Sequence, residues 1–154
     1  MNPADTFLVI VDQTPECALA IRFAALRALP TGASVARLNA MRPPPFMQWG
    51  RAQDMIEAEA MEEAEQALAR AADMAEAIQG RRPETHVRKG KPSDTILEFI
   101  RSHGGVRALV LAAAASGRPG PLVGHFAGEG AGSLPCLVMI VPGGITEADL
   151  DRLT

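Results

Sequence analysis

The stretch Phe7-Leu8-Val9-Ile10-Val11-Asp12-Gln13-Thr14-Pro15-Glu16 decides the fold class. Its first half is a continuous apolar run with polar flanks, which is how a strand buried on both faces reads. Its second half reads as a helix start. Thr14 offers an oxygen to free N–H groups, Pro15 suits the first helical position, and Glu16 favours the positive end of the helix dipole. Cys17, Ile21, Ala24, Ala25 and Ala28 then recur as a helical stripe, which Pro30 and Gly32 end.

The same alternation continues along the chain. Residues 33–40 read as a second strand. Pro43-Pro44-Pro45 then opens a loop, 43–51, that reads as a mobile flap. Its Phe46, Met47 and Trp49 either pack over the helix beneath or form a lid or partner contact. Ile56, Ala60, Ala64, Ala67, Leu68, Ala71, Ala75 and Ile78 mark a long helix, closed by Gly80. Residues 85–88 are a weak third strand. Pro92 opens a helix with Ile96, Leu97 and Ile100 on its buried side, and Gly104-Gly105 end it. Residues 108–113 read as a fourth strand, 116–120 as a Gly/Pro-rich loop, and a short helix starts near Pro121 with Leu122, Val123 and Phe126 inward. Residues 137–141 read as the fifth strand, and Thr146-Glu147-Ala148-Asp149 as a capping-box-like start to a last small helix. Strands alternating with helices predict a parallel sheet with right-handed crossovers and helices on both faces. No repeat or boundary divides the chain, so 1–154 reads as one domain with 143–154 as a C-terminal extension.

Composition narrows the function. A chain of 154 residues, 47% hydrophobic, can build one proper core. With 4% aromatics and no Tyr, that core is aliphatic. A net charge of −3 argues against nucleic-acid binding and against an anionic membrane surface. No apolar run is long enough to cross a bilayer, and the polar start lacks the basic stretch of a signal peptide, so the expected compartment is the cytoplasm. Cys17 and Cys136 sit in apolar stretches and read as small core residues, not nucleophiles.

Several chemistries find no support. There is no Gly-x-Ser-x-Gly elbow and no Gly-x-x-x-x-Gly-Lys-Ser/Thr phosphate loop. His86 and His103 are far apart in sequence, with no partner at ligand spacing, so no metal site is read. Glu57, Glu59, Glu62, Glu63 and Glu65 read as a solvated helix face. A receiver-type magnesium site would need a cluster of acids at Asp12 and a late lysine; Asp12 stands alone and no lysine follows Lys91.

In order and spacing, these segments resemble the universal stress protein family over about residues 7–142. The resemblance rests on the opening strand with Asp12 and Thr14-Pro15-Glu16, on Thr31-Gly32-Ala33-Ser34-Val35, and on Val87-Arg88-Lys89-Gly90-Lys91-Pro92. Residues 107–111 and Pro135-Cys136-Leu137-Val138-Met139-Ile140-Val141 complete it. It implies an α/β three-layer sandwich of the adenine nucleotide alpha hydrolase-like type, with a five-stranded parallel sheet in the order 3-2-1-4-5. It also implies a homodimer through the last strand, here Leu137, Val138, Met139, Ile140 and Val141. Some members bind ATP or AMP, with Mg²⁺ only alongside the nucleotide. The positions that hold adenosine in those members correspond to Val11-Asp12 and Ala40. Their phosphates rest on a loop of the form Gly, two residues, Gly, nine residues, Gly-Ser/Thr, after the fourth strand.

This chain departs from that loop. Aligned on the flanking strands, the first glycine falls on Ala113 or Ala114, the second on Ser116 or Gly117, and the final pair on Gly124-His125. The loop is about two residues short. A literal search finds Gly117, Gly120 and Gly130, followed by Ala131, but leaves too few residues for a helix before the last strand. The candidate nucleotide site is therefore Val11, Asp12, Ala40, Ala113, Ser116, Gly117, Arg118, Gly120, Gly124 and His125. A Gly-rich turn before a helix presents N–H groups to an anion, and Arg118 can meet a phosphate. Pro119 removes one donor, and no hydroxyl follows Gly124. Asp12 has two open roles: capping a turn, or holding the sugar of a nucleotide. His125 reads as a surface or core histidine.

The expected function is a non-enzymatic, dimeric stress-response or regulatory protein with ATP or AMP as its possible ligand. The competing class is a nucleotide-free dimeric module that binds an unknown protein partner. A slow ATP hydrolase is the third, and the missing base, lysine and metal ligands count against it.

Overall fold

A computed structural model describes residues 5–41 and 50–154. β1 (Thr6–Ile10) is buried at every position. It pairs in parallel with β2 (Ser34–Met41) on one side and β4 (Val106–Ala113) on the other. β3 (Glu84–Lys89) adds beyond β2, and β5 (Leu137–Pro142) beyond β4. All pairings are parallel and the order is β3-β2-β1-β4-β5, as expected.

The pleat divides β1 between two cores. Phe7, Val9 and Val11 face α1 (Cys17–Ala28) and α2 (Gly50–Gln79). Leu8 and Ile10 face the layer of α3 (Pro92–His103) and α4 (Pro121–Phe126). α1 and α2 meet through small residues, with Ala20, Ala24, Ala25 and Ala28 on one and Ala64, Ala67, Ala71, Ala72 and Ala75 on the other. Alanine faces let two backbones approach closely, and the few aromatics are not needed there. α5 (Glu147–Leu153) closes the chain, and its Thr146 side chain accepts from the Asp149 N–H at 3.1 Å, as the capping-box reading predicted.

Two expectations change. α1 begins at Cys17, without a side-chain cap. The reason is Asp12: its carboxylate accepts both the Thr14 N–H, at 2.9 Å, and the Thr14 hydroxyl. Thr14 is thus a donor into an Asx-type turn, and its side chain is held there, away from a capping position. The 43–51 loop is shorter than read, because Gly50 and Arg51 already belong to α2; the readings of Phe46, Met47 and Trp49 fall outside the described residues. The structure also shows a charge that the sequence reading did not single out: Arg37 of β2 is fully buried, with no partner among the described residues for Nε, Nη1 or Nη2.

The cysteines are free. Cys17 is buried, its thiol donates to the Ile10 carbonyl at 3.7 Å, and burial pushes its pKa up to about 11. Burial also raises the half-buried Cys136. Neither forms a thiolate at neutral pH, in keeping with a core role.

Candidate functional site

The carboxyl end of β1 is fixed from two sides. The Val11 N–H donates to the Leu38 carbonyl at 2.9 Å, and the Val11 carbonyl accepts from the Asn39 side-chain amide at 3.0 Å. The chain then turns outward at Asp12, so its carboxylate ends at the mouth of the sheet. On the other side, Gly90 leaves β3 with φ +141°, and a Cβ there would stand 2.6 Å from Thr95 Oγ1. Only glycine turns the chain there without strain. The turn is tied back by the Gly90 N–H to Met41 O, at 2.9 Å, and delivers Lys91 and Ser93 to the start of α3.

A cleft of about 420 Å³ lies between these pieces. Asp12, Asn39 and Ala40 form its sheet side; Lys91 and Ser93 come from the α3 start, and Leu122 and His125 from α4. It sits outside the carboxyl ends of the strands, where ligands of open α/β sheets bind. The structure thus brings together Val11, Asp12, Ala40 and His125 from the predicted set. Asn39, Lys91 and Ser93 were missed. The signal for Lys91 and Ser93 was the Gly-Lys-Pro-Ser helix start at 90–93, which a crossover must carry to this end of the sheet.

The rest of the predicted set lies elsewhere. Ala113, Ser116, Gly117, Arg118, Gly120 and Gly124 do not line the cleft. Gly120 borders a separate recess of about 100 Å³ that shares Asp12. Residues 114–119 close on themselves, with the Ala114 N–H donating to the Pro119 carbonyl at 3.1 Å. The Ala114 amide is thus spent inside the loop. α4 is a short helix of 6 residues, and past its end the chain turns around His125. The His125 carbonyl accepts from both Gly128 and Gly130, at 3.2 and 2.9 Å, and Gly130 lies directly against its ring. Of the two alternative ends of the glycine motif, only Gly130 packs on the imidazole of His125; Gly124 has open space around it.

The β5 edge is apolar and open. Leu137 is 66% and Ile140 39% exposed, while Val141 is buried. Val138 and Met139 are half-buried. Among the described residues no helix is long and apolar enough to cross a membrane.

The model of the universal stress protein family matches residues 3–142. The fold is similar to universal stress protein UspA from Lactobacillus plantarum, at TM-score 0.74 and 17% identity, covering 92% of this chain and 99% of that one. It is also similar to a universal stress protein from Archaeoglobus fulgidus in complex with dAMP, at TM-score 0.65 and 23% identity, covering 89% and 97%. A family protein from Arabidopsis thaliana with AMP bound aligns at TM-score 0.60 and 13% identity, covering 94% of each chain. Among curated proteins no sequence match was found.

Proposed function

The chain belongs to the universal stress protein family, and from that premise we propose that it is a regulatory binding protein whose cleft takes an adenine nucleotide, a monophosphate in preference to ATP. The observation that carries the reading is the convergence of Asp12, Asn39, Ala40, Lys91 and His125 on one cleft of about 420 Å³, a size usual for small-molecule sites. The Asp12 carboxylate can accept from ribose hydroxyls while it holds its turn. The backbone end of β2 at Ala40 suits a flat base. Lys91, exposed at the opening, supplies a positive charge for one phosphate.

The monophosphate preference follows from the loop after β4. Its Ala114 amide is already bonded to Pro119, and its glycines stand outside the cleft, so a second and third phosphate gain little there. The dAMP and AMP complexes of the two solved neighbours support the same class of ligand. Mg²⁺ enters only with a polyphosphate. We read the site as one for binding, with no role in turnover.

Our reading puts a homodimer contact on β5, where Leu137 and Ile140 leave an apolar edge uncovered. The same closed loop favours a second reading, a dimeric interaction module without nucleotide.

Isothermal titration with AMP and with ATP plus Mg²⁺, after a denatured extract is checked for carried nucleotide, tests the proposal. Micromolar AMP binding that exceeds ATP binding, and is lost in Asp12→Ala, supports it. No binding at millimolar AMP, with none carried through purification, supports the interaction module. Sedimentation of Ile140→Arg tests the dimer: a shift to monomer is expected.

A further inference from the structure

Far from the cleft, two histidines separated in sequence meet at the β3 edge of the sheet. Glu84 and His86 alternate on one face of β3, the face that packs on α3. His103 ends α3, one turn beyond Phe99. Glu84 Oε2 lies 3.3 Å from His86 Nε2 and 3.2 Å from His103 Nε2. The three ligand-type atoms all fall within 4.8 Å of one another.

We propose that Glu84, His86 and His103 bind a divalent transition-metal ion of the Zn²⁺ class. Nitrogen and oxygen ligands around a tetrahedral Zn²⁺, at about 2.0–2.1 Å from it, stand about 3.3–3.4 Å apart. Two of the three separations, 3.3 and 3.2 Å, are close to that value, and the third is within 4.8 Å, so a side-chain adjustment would close it. The orientation of the His103 ring fits as well. His103 Nδ1 lies 2.9 Å from the Gly104 carbonyl, which can only accept, so Nδ1 carries the hydrogen. Its Nε2 then faces the Glu84 carboxylate oxygen at 3.2 Å. A backbone carbonyl on the far nitrogen is also the usual support of a metal-bound histidine.

The ligands are held in place. Phe99 is buried, stacks on His103 with centroids 5.1 Å apart, and touches His86 at 4.8 Å. Two imidazoles and a carboxylate without thiolate suit Zn²⁺, Co²⁺ or Ni²⁺, and suit Cu(I), Mg²⁺ or Ca²⁺ poorly. Glu84 is exposed, so water fills the open positions of the ion. The Arg88 guanidinium lies over the Phe99 ring, 5.5 Å from its centre, and adds a positive charge near the cluster.

The test uses the full chain, stripped with a chelator and titrated with Zn²⁺ by calorimetry and with Co²⁺ by visible absorption. We expect one ion per chain, with the intense visible bands of a low-coordinate cobalt centre. Affinity should fall roughly tenfold or more in Glu84→Gln and in His103→Ala, and should be unchanged in Cys136→Ser. Glu84 is exposed, so its variant keeps the fold, and melting of each stripped protein verifies this. Absence of Zn²⁺ and Co²⁺ binding at submillimolar metal overturns the proposal, as does binding indifferent to both substitutions. A lower melting temperature of stripped Glu84→Gln, with no metal bound by the parent, would instead make the cluster a plain ion-pair network.

Discussion

Arg22 of α1 grips Asp151 of α5 with two parallel bonds, Nε to one carboxylate oxygen at 2.7 Å and Nη2 to the other at 2.6 Å. Beside this fork Leu150 enters the core formed with α1 and the sheet, 4% exposed. The chain's final helix therefore docks on its own subunit, and a partner is not needed to cover it.

The fork predicts an acid-labile tail. The hydrogen bonds from Arg22 hold the Asp151 carboxyl below the usual aspartate range. A carboxyl depressed in the folded state adds stability that is complete above its unfolded value and is lost as pH falls through its folded value. Exchange protection of the α5 amides, corrected for intrinsic rates, should stay level down to about pH 4 and then drop. Asp151→Asn should lower protection at neutral pH and remove that step. Leu150→Ala should cost more at every pH, about 2–5 kcal/mol in urea melts, since it empties a core position.

Arg37 predicts the opposite kind of mutant, one that gains. Burial without a counter-charge lowers its pKa to about 10. A cation whose folded pKa is depressed destabilises the fold at all pH values below that figure, and the cost is relieved as pH rises beyond it. Arg37→Met keeps most of the side-chain volume and removes the charge. We expect stability to rise by about 1–4 kcal/mol at pH 7, read as a higher denaturant midpoint. A lower midpoint would mean that the guanidinium holds a bound partner in solution.

Gly143 stands where no side chain fits. Its N–H donates to the Ala113 carbonyl at 2.7 Å, and a Cβ would lie 2.5 Å from that same oxygen and 3.0 Å from the Ala115 nitrogen. Gly143→Ala must push the ends of β4 and β5 apart. It should cost about 1–3 kcal/mol in chemical denaturation, whereas Gly144→Ala, with open space around it, should cost little.

The fold was legible because β1 is buried on both faces, and two-sided burial writes itself as an unbroken apolar run. Helix ends set by glycine or proline, such as Pro92 and Gly104, were legible for the same local reason. What failed depends on groups that meet only after folding. Asp12 captured Thr14, so a residue that reads as a helix cap became a donor. Arg37 lies in a strand whose register points it between β2 and the helices, and a single charge in an apolar strand does not announce its burial. The cleft was half visible. Asp12 and Ala40 follow from strand ends, but Lys91 reaches them through a crossover, and the glycines of the loop after β4 stand outside the cleft. His86 and His103 come together only because α3 packs on β3.

Lys91 separates a true nucleotide site from a cleft that merely accepts a flat ring. It lines the cleft yet stays exposed, and it caps α3, whose first residues Pro92 and Ser93 line the same space. A phosphate placed there gains from the ammonium, while adenosine does not. Lys91→Ala should weaken AMP binding by about two- to fivefold, the range of a solvent-exposed ion pair, and leave adenosine binding unchanged. The loss should shrink as salt is added, because exposed charges are screened within about 10 Å at 0.1 M. Equal losses for AMP and adenosine would show that Lys91 acts through the shape of the α3 start, and the phosphate would then have to lie elsewhere, with Arg118 as the next cation to remove.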